Sequence, residues 1–272
     1  MNKKSLAILC AAMLMTGCAS ADNTDSDSKD QQNRTTMEED IVEPVQGETL
    51  SNEKFGYGQG VLVDEENRPT GALDFNAQYS QLGATAIDEE SEKILLTFDQ
   101  GYENGLTGQI LDVLKEKNVK AVFFVLLDYA EKNPELVQRM IDEGHTVGNH
   151  SVSHYSMPDL SDEECVEEIK GLQEYMQENF DYTPTLFRPP MGEYSQRTLS
   201  MTQQCGMKTM LWSFAYADWD TDNQPDEAQS LEKLVLAAHK GAIYLLHSVS
   251  QTNADILADF IDRTRANGFE FY

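Results

Sequence analysis

This sequence predicts an α/β fold whose parallel sheet curls into a closed or nearly closed barrel. Three observations lead there. From Lys93 onward, short apolar runs alternate with helical patterns, and that alternation is how a parallel sheet is encoded. Capping residues and glycines mark where the helices start and stop. The polar residues that carry chemistry interrupt the pattern at one kind of place, the ends of strands, which is the functional rim of parallel barrels.

Strands are expected at Lys93–Phe98, Ala121–Leu126, Thr146–Gly148, Thr185–Phe187, Thr209–Ser213, Ala242–Leu246 and Phe269–Tyr272. The first contains the apolar run Ile94-Leu95-Leu96 and hands over to Asp99 and the turn at Gly101. Helices are expected near Thr107–Lys117, Pro134–Glu143, Asp162–Asn179, Ser195–Gln204, Asp226–Ala238 and Ala254–Ala266. Asn133-Pro134 is a helix start, a capping side chain followed by proline in the first turn. Ser161-Asp162-Glu163-Glu164 reads as a capping box. Gly144, Gly206 and Asn267-Gly268 suit helix ends. Residues 55–91 have weak periodicity and form a loop-rich lead-in with at most a short helix, ahead of a folded domain over 92–272.

The N-terminus reads as processing and tether. Lys3 and Lys4 precede an apolar run, Leu6–Met15, that is too short to span a bilayer, which takes about 20 residues. Leu14-Met15-Thr16-Gly17-Cys18 resembles the lipobox of bacterial lipoproteins, which implies cleavage of residues 1–17 and a lipid on Cys18. An ordinary secretory signal cut near Ala19 or Ala21 is the other reading. Both place the mature protein outside the cytoplasm, and the first anchors it to the membrane. Residues 18–54 are polar and acidic, with ten acids against three bases from Ala19 to Lys54, and are expected to be a disordered tether.

The whole chain carries 47 acids and 20 bases, a formal charge of −27. That balance excludes nucleic acid as a partner, because phosphates would be repelled, and it opposes docking on anionic lipid. It leaves a neutral or amine-bearing polymer as a compatible substrate. Cys165 shares a helix face with Ile169, Leu172 and Met176 and is expected to be a buried thiol, although an oxidising compartment would permit a bond to Cys205.

The strand ends supply the chemistry. Asp99 follows the first strand, His150 and His154 the third, Arg188 the fourth, Asp218 and Trp219 the fifth, and His247 the sixth. Two histidines four residues apart invite a divalent metal, zinc above all, with a third ligand from elsewhere. His145 and His239 stand at element ends, where a cap or a packed ring is the expected role.

Five segments then carry a resemblance. Thr97-Phe98-Asp99, His150-Ser151-x-x-His154, Arg188-Pro189-Pro190-Met191-Gly192, Asp218-Trp219 and Leu245-Leu246-His247 resemble, in order, the motifs of the NodB-homology polysaccharide deacetylases, carbohydrate esterase family four. Tyr102-Glu103-Asn104-Gly105, Gly241–His247 and, more loosely, Gly71, Tyr79 and Leu82-Gly83 resemble the delta-lactam branch, which deacetylates N-acetylmuramic acid in peptidoglycan.

The resemblance implies a distorted (β/α)7 barrel and a hydrolytic N-deacetylase acting on peptidoglycan glycan strands. It makes Asp99 the general base, Arg188 the residue that holds it, His247 the proton donor and Asp218 the carboxylate behind that histidine. His150 and His154 would hold the metal. Tyr102, Trp219, Leu245 and Pro190 would contact the sugar. The family has a second aspartate as third metal ligand where this chain has Gln100, so that place falls to Gln100 or Asp99. A muramoyl amidase acting beforehand is compatible with this substrate. An N-acetylglucosamine deacetylase and a non-catalytic glycan-binding lipoprotein are the alternatives.

Overall fold

The fold is organised around one long buried strand. The structure, a computed structural model, describes residues 50–272. The expected signal peptide, Cys18 and most of the tether lie outside the described residues. In chain order the first elements are β1 (Phe55–Gly56), α1 (Thr70–Tyr79), β2 (Ala84–Thr85), β3 (Lys93–Gln100), α2 (Thr107–Glu116), β4 (Ala121–Val125), α3 (Leu127–Lys132), α4 (Pro134–Asp142) and β5 (Thr146–Asn149). There follow α5 (Asp162–Phe180), β6 (Leu186–Phe187), β7 (Glu193–Tyr194), α6 (Gln196–Gln204), β8 (Lys208–Met210) and β9 (Phe214–Ala215). The last are α7 (Glu227–Leu236), β10 (Ile243–His247), α8 (Gln251–Ala266) and β11 (Glu270–Phe271).

β3 lies between β4 and β10, and all pairings in this sheet are parallel. The order runs β4–β5–β6–β8 on one side and β10–β9 on the other. Since β8 and β9 belong to one extended segment, 208–215, the row returns to the same piece of chain and the sheet curls on itself. β2 adds beside β8, and β11 beside the start of β3. Helices cover the outside, so β3, β4 and β10 are almost wholly buried along their length. The expected parallel α/β barrel is the fold observed.

Four local differences have physical causes. β3 runs two residues beyond its expected end, so Asp99 and Gln100 sit in the sheet and are buried. The expected strand Thr209–Ser213 is split in two. The carbonyls of Met210 and Leu211 accept from Arg188, and that of Trp212 accepts from the Tyr57 hydroxyl, so side chains replace a neighbouring strand there. α3 occupies a stretch where no element is expected. Its end explains why Asn133 does not cap α4: the amide donates back to the Tyr129 carbonyl at 3.0 Å. α8 begins three residues early because Ser250 caps it, accepting from the Asn253 amide N–H.

The lead-in is part of the packing. Phe75 and Tyr79 of α1 join Tyr57, Tyr194 and Trp212 in one aromatic cluster. Contacts reach back into the expected tether: Asn52 donates to the Pro158 carbonyl at 3.0 Å, and Lys54 pairs with Asp159 at 2.6 Å. The capping box at Ser161 forms with both reciprocal bonds. Cys165 is buried, and it and Cys205 are free thiols. His145 and His239 bond within the scaffold, to the Ala121 N–H and to Ser213.

Candidate active site

Sheet register does the first work of assembly. Asp99 and His247 are Cα partners on neighbouring strands. Gln100 pairs with Val125, Val125 with Asn149, and Asn149 with Phe187, so His150 and Arg188 begin their loops at the same level. Neighbouring strands lie about 4.8 Å apart. Side chains far apart in sequence therefore meet at one rim.

Arg188 is the largest fully buried side chain. Its Nη1 donates to Asp99 Oδ1 at 2.7 Å and to Thr97 Oγ1 at 2.8 Å. Nε and Nη2 donate to the Met210 and Leu211 carbonyls, both at 3.0 Å. The guanidinium stacks on the Phe124 ring at 4.2 Å. Gly148 leaves room for that ring, since a Cβ there would fall 2.5 Å from it. Burial acts to raise the Asp99 pKa, but the Arg188 charge, with His150 and His247 adding to it, holds this carboxyl below the usual carboxylate range.

His150 is buried and its Nδ1 lies 2.8 Å from the Arg188 carbonyl oxygen. A carbonyl only accepts, so Nδ1 carries the proton. Burial pushes this imidazole down to about 4, leaving it neutral with a bare Nε2 that faces Asp99 Oδ2 at 3.6 Å. The His154 ring stands 5.0 Å from that of His150. Ser151 and His154 both take positive φ, 78° and 60°, a costly conformation for non-glycine residues. Glu168 of α5 secures the loop, its carboxylate accepting from Ser153 N–H at 2.7 Å and its carbonyl from Val152 N–H at 3.1 Å.

On the other side, Asp218 is fully buried. Its Oδ1 accepts from His247 Nδ1 at 2.7 Å and its Oδ2 from His247 N–H at 2.9 Å. Burial opposes a charged His247, but the Asp218 carboxylate more than reverses this and raises the imidazole above its ordinary value. With Nδ1 bonded to Asp218, Nε2 is the nitrogen left to exchange a proton.

Around this line of groups the rim is apolar and open. Trp219, Tyr102 and Met191 are exposed on loops that follow strands, and Trp219 lies 6.1 Å from the His247 ring. Leu245 and Pro190 are buried. The loop bearing Tyr102 is braced: Glu103 accepts from Gly105 N–H, Thr107 and Tyr129, and Asn104 donates to the Val249 carbonyl at 2.8 Å. Glu103 and Asn104 are thus internal supports, and Tyr102 is the residue they present.

Comparisons with known proteins show the family. A family model described as polysaccharide deacetylase matches residues 86–210. The peptidoglycan-N-acetylmuramic acid deacetylase PdaA of Bacillus subtilis is 36% identical over 84% of this chain and 87% of its own. The solved structure of that enzyme, a family 4 carbohydrate esterase, superposes with a TM-score of 0.76 at 34% identity, covering 82% of this chain and 95% of that one. The chain belongs to the polysaccharide deacetylases. It is a hydrolase of carbohydrate esterase family four. An uncharacterised 30.6 kDa protein of Geobacillus stearothermophilus is 39% identical over 75% of this chain and 77% of its own. The peptidoglycan-N-acetylglucosamine deacetylase PgdA of Listeria monocytogenes is 36% identical over 66% of this chain but 38% of its own.

Deacetylases of this family are generally metal-dependent, and the residues present suit a cation. His150 Nε2 is unprotonated and faces a carboxylate oxygen with no hydrogen between them. Gln100 donates through Nε2 to Ser248, which leaves its Oε1 buried with no donor. Such lone pairs are stabilised by a positive partner. Among the described residues no three His, Cys, Asp or Glu side chains are grouped for a metal.

The structure thus brings Asp99, Arg188, His150, His154, Asp218 and His247 together, with Gln100 below them. Thr97 as a partner of Arg188, Glu168 as the anchor of the histidine loop, and Asn253 are site contacts that the sequence does not single out. Asn253 falls one residue ahead of the helix expected at Ala254–Ala266, although Ser250 three residues earlier is a capping signal.

Proposed function

We propose that the protein is an extracytoplasmic, lipid-anchored peptidoglycan N-deacetylase whose sugar is N-acetylmuramic acid. The observation that carries the reading is the strand pairing of Asp99, a carboxyl held below its usual range, with His247, an imidazole held above its ordinary value, on one rim. Asp99 takes a proton from water as the water oxygen attacks the acetamide carbonyl carbon. His247 gives its Nε2 proton to the departing sugar nitrogen, which would otherwise leave as an amide anion. Arg188 fixes the Asp99 carboxylate, and Asp218 orients and charges His247. The products are acetate and a free amine.

An Asp99 held below its usual pKa is ionised but weakly basic, so the water must be made more acidic. His150 and His154, with Gln100 or Asp99 as third ligand, would hold a divalent metal, zinc by ligand type, which when bound polarises the carbonyl and acidifies water. Tyr102 and Trp219 supply stacking faces for the sugar, and Leu245 and Pro190 an apolar wall for the acetyl methyl. The folded unit is the barrel over 92–272 with its lead-in 55–91. Residues 1–17 are its signal peptide, Cys18 its lipid site, and 18–54 the spacer from the membrane, whose last residues, Asn52 and Lys54, bond to the domain.

Similarity to PdaA and the Tyr102–Gly105 loop favour muramic acid. Its free amine would close a δ-lactam on its own lactyl carboxyl once a muramoyl amidase had removed the stem peptide. Similarity to PgdA favours N-acetylglucosamine as the second reading. Incubation with muropeptides is expected to release acetate and yield products lighter by one acetyl group, with the free amine on muramic acid by mass spectrometry. An amine on glucosamine selects the second reading. Undiminished release by D99N and H247A overturns the roles of base and acid.

A further inference from the structure

The first turn of α8 reaches back into the His247–Asp218 pair through a side chain that lies outside the five motif segments. Asn253 is 2% exposed. Its Nδ2 donates to Asp218 Oδ2 at 2.5 Å and to the His247 carbonyl at 3.3 Å. Its Oδ1 accepts from the Tyr216 hydroxyl. Its backbone N–H is taken by the Ser250 cap at 3.1 Å, which fixes the residue at the helix start.

We propose that Asn253 is a positioning residue for proton donation, holding the Asp218 carboxylate and the His247 backbone in one geometry, and that Tyr216 holds the Asn253 amide the right way round. This rests on the reading of His247 as proton donor. An amide nitrogen has two hydrogens, and here each is spent on a different member of the pair.

Asp218 has no access to water, so its orientation is set by its protein donors. Oδ1 has the imidazole; Oδ2 has the His247 N–H and Asn253. Losing Asn253 leaves Oδ2 a single donor and frees the carboxylate to turn, and the imidazole it holds turns with it. The donors to Oδ2 also fix which oxygen faces the imidazole, so that Nδ1 stays bonded to Oδ1 and Nε2 is reserved for the leaving amine. Turning the Asn253 amide over would set Oδ1 against Oδ2, two acceptors with no hydrogen between them. The Tyr216 hydroxyl satisfies Oδ1 where it stands.

The test compares N253A, N253D, Y216F and the control Q251A, an exposed side chain in the same turn. N253D keeps the shape and replaces a donor by an acceptor. Asn253 variants are expected to lower kcat roughly 10–100-fold on muropeptides with KM within about twofold, as loss of a residue that orients a catalytic ligand does. Y216F should fall less, and N253A/Y216F should match N253A, since Tyr216 acts only through Asn253. The independent readout is the low-field proton resonance of the His247 Nδ1–H bonded to Asp218, followed without substrate. It is expected in the wild type and Q251A, and shifted or lost in N253A and N253D. Wild-type kcat in N253D, or an unmoved resonance in both Asn253 variants, overturns the inference. Wild-type turnover in H247A, with the resonance still lost in N253D, overturns the proton-donor reading and leaves the positioning contact standing.

Discussion

Replacing Arg188 by methionine tests the physical basis of the site, because methionine keeps most of the stem volume and removes the charge. The loss is readable from the contacts. Asp99, buried, loses its 2.7 Å charge-assisted bond, and the Met210 and Leu211 carbonyls lose 3.0 Å donors in a place without water. Removing one partner of a buried ion pair costs about 3–5 kcal/mol, because a charge is left uncompensated. R188M should therefore be destabilised by at least that much in urea titrations near neutral pH. Adding D99N removes the stranded charge while the carbonyls stay unpaired, so R188M/D99N should regain on the order of 2–3 kcal/mol over R188M.

The pH dependence has a definite sign. In the wild type Asp99 is held below its ordinary pKa, so its ionisation adds stability that is present above about pH 4 and lost as pH falls through the folded value. In R188M burial acts without the guanidinium and the carboxyl rises. Its contribution is then present only where it is protonated and is lost as pH rises. The stability gap between the two proteins should widen from acid to neutral pH. Additive effects of R188M and D99N, or a gap unchanged with pH, would refute the account of Arg188 as the charge partner of Asp99.

Three further outcomes are expected. Q100D should raise zinc affinity about tenfold or more by direct titration, because an ionised carboxylate replaces a neutral carbonyl as third ligand; unchanged affinity removes residue 100 from the metal shell. D218N removes the group that raises His247, so the alkaline limb of the kcat/KM profile should move to lower pH, and a limb that stays or moves up refutes the pairing. G192A should cost about 1–3 kcal/mol in thermal melts, since φ is +66° and a Cβ would lie 2.7 Å from Trp212; a neutral effect would mean that this turn relaxes freely.

Much of the site was legible because it lies at strand ends. A run such as Ile94-Leu95-Leu96 locates a strand, and the polar residue after it then has a place on a known rim. What escaped was set by partners distant in sequence. The split of Thr209–Ser213 depends on Arg188 and Tyr57 claiming three carbonyls, and no local propensity records that. Asn253 escaped because an early helix start, fixed by Ser250, carries it into the first turn. Glu103 and Asn104 enter the sequence reading only through the branch resemblance, and their role as braces appears in bonds to Tyr129 and Val249, which local sequence does not record.

By itself the sequence determined the alternation of strands and helices, the capped start of α5, and the order in which an acid, two histidines, an arginine, a second acid and a third histidine reach the rim. These follow from local periodicity and from residue chemistry, which need no knowledge of the fold. The tertiary structure alone decided that His247 stands beside Asp99, that Arg188 is sealed in with four of its bonds made, that His150 is neutral with Nε2 bare, and that Gln100 Oε1 is left without a donor. Each of these is a property of distance and burial between segments 22 to 148 residues apart. Strand register and the exclusion of water fix such properties, and neither is written in any local stretch of chain.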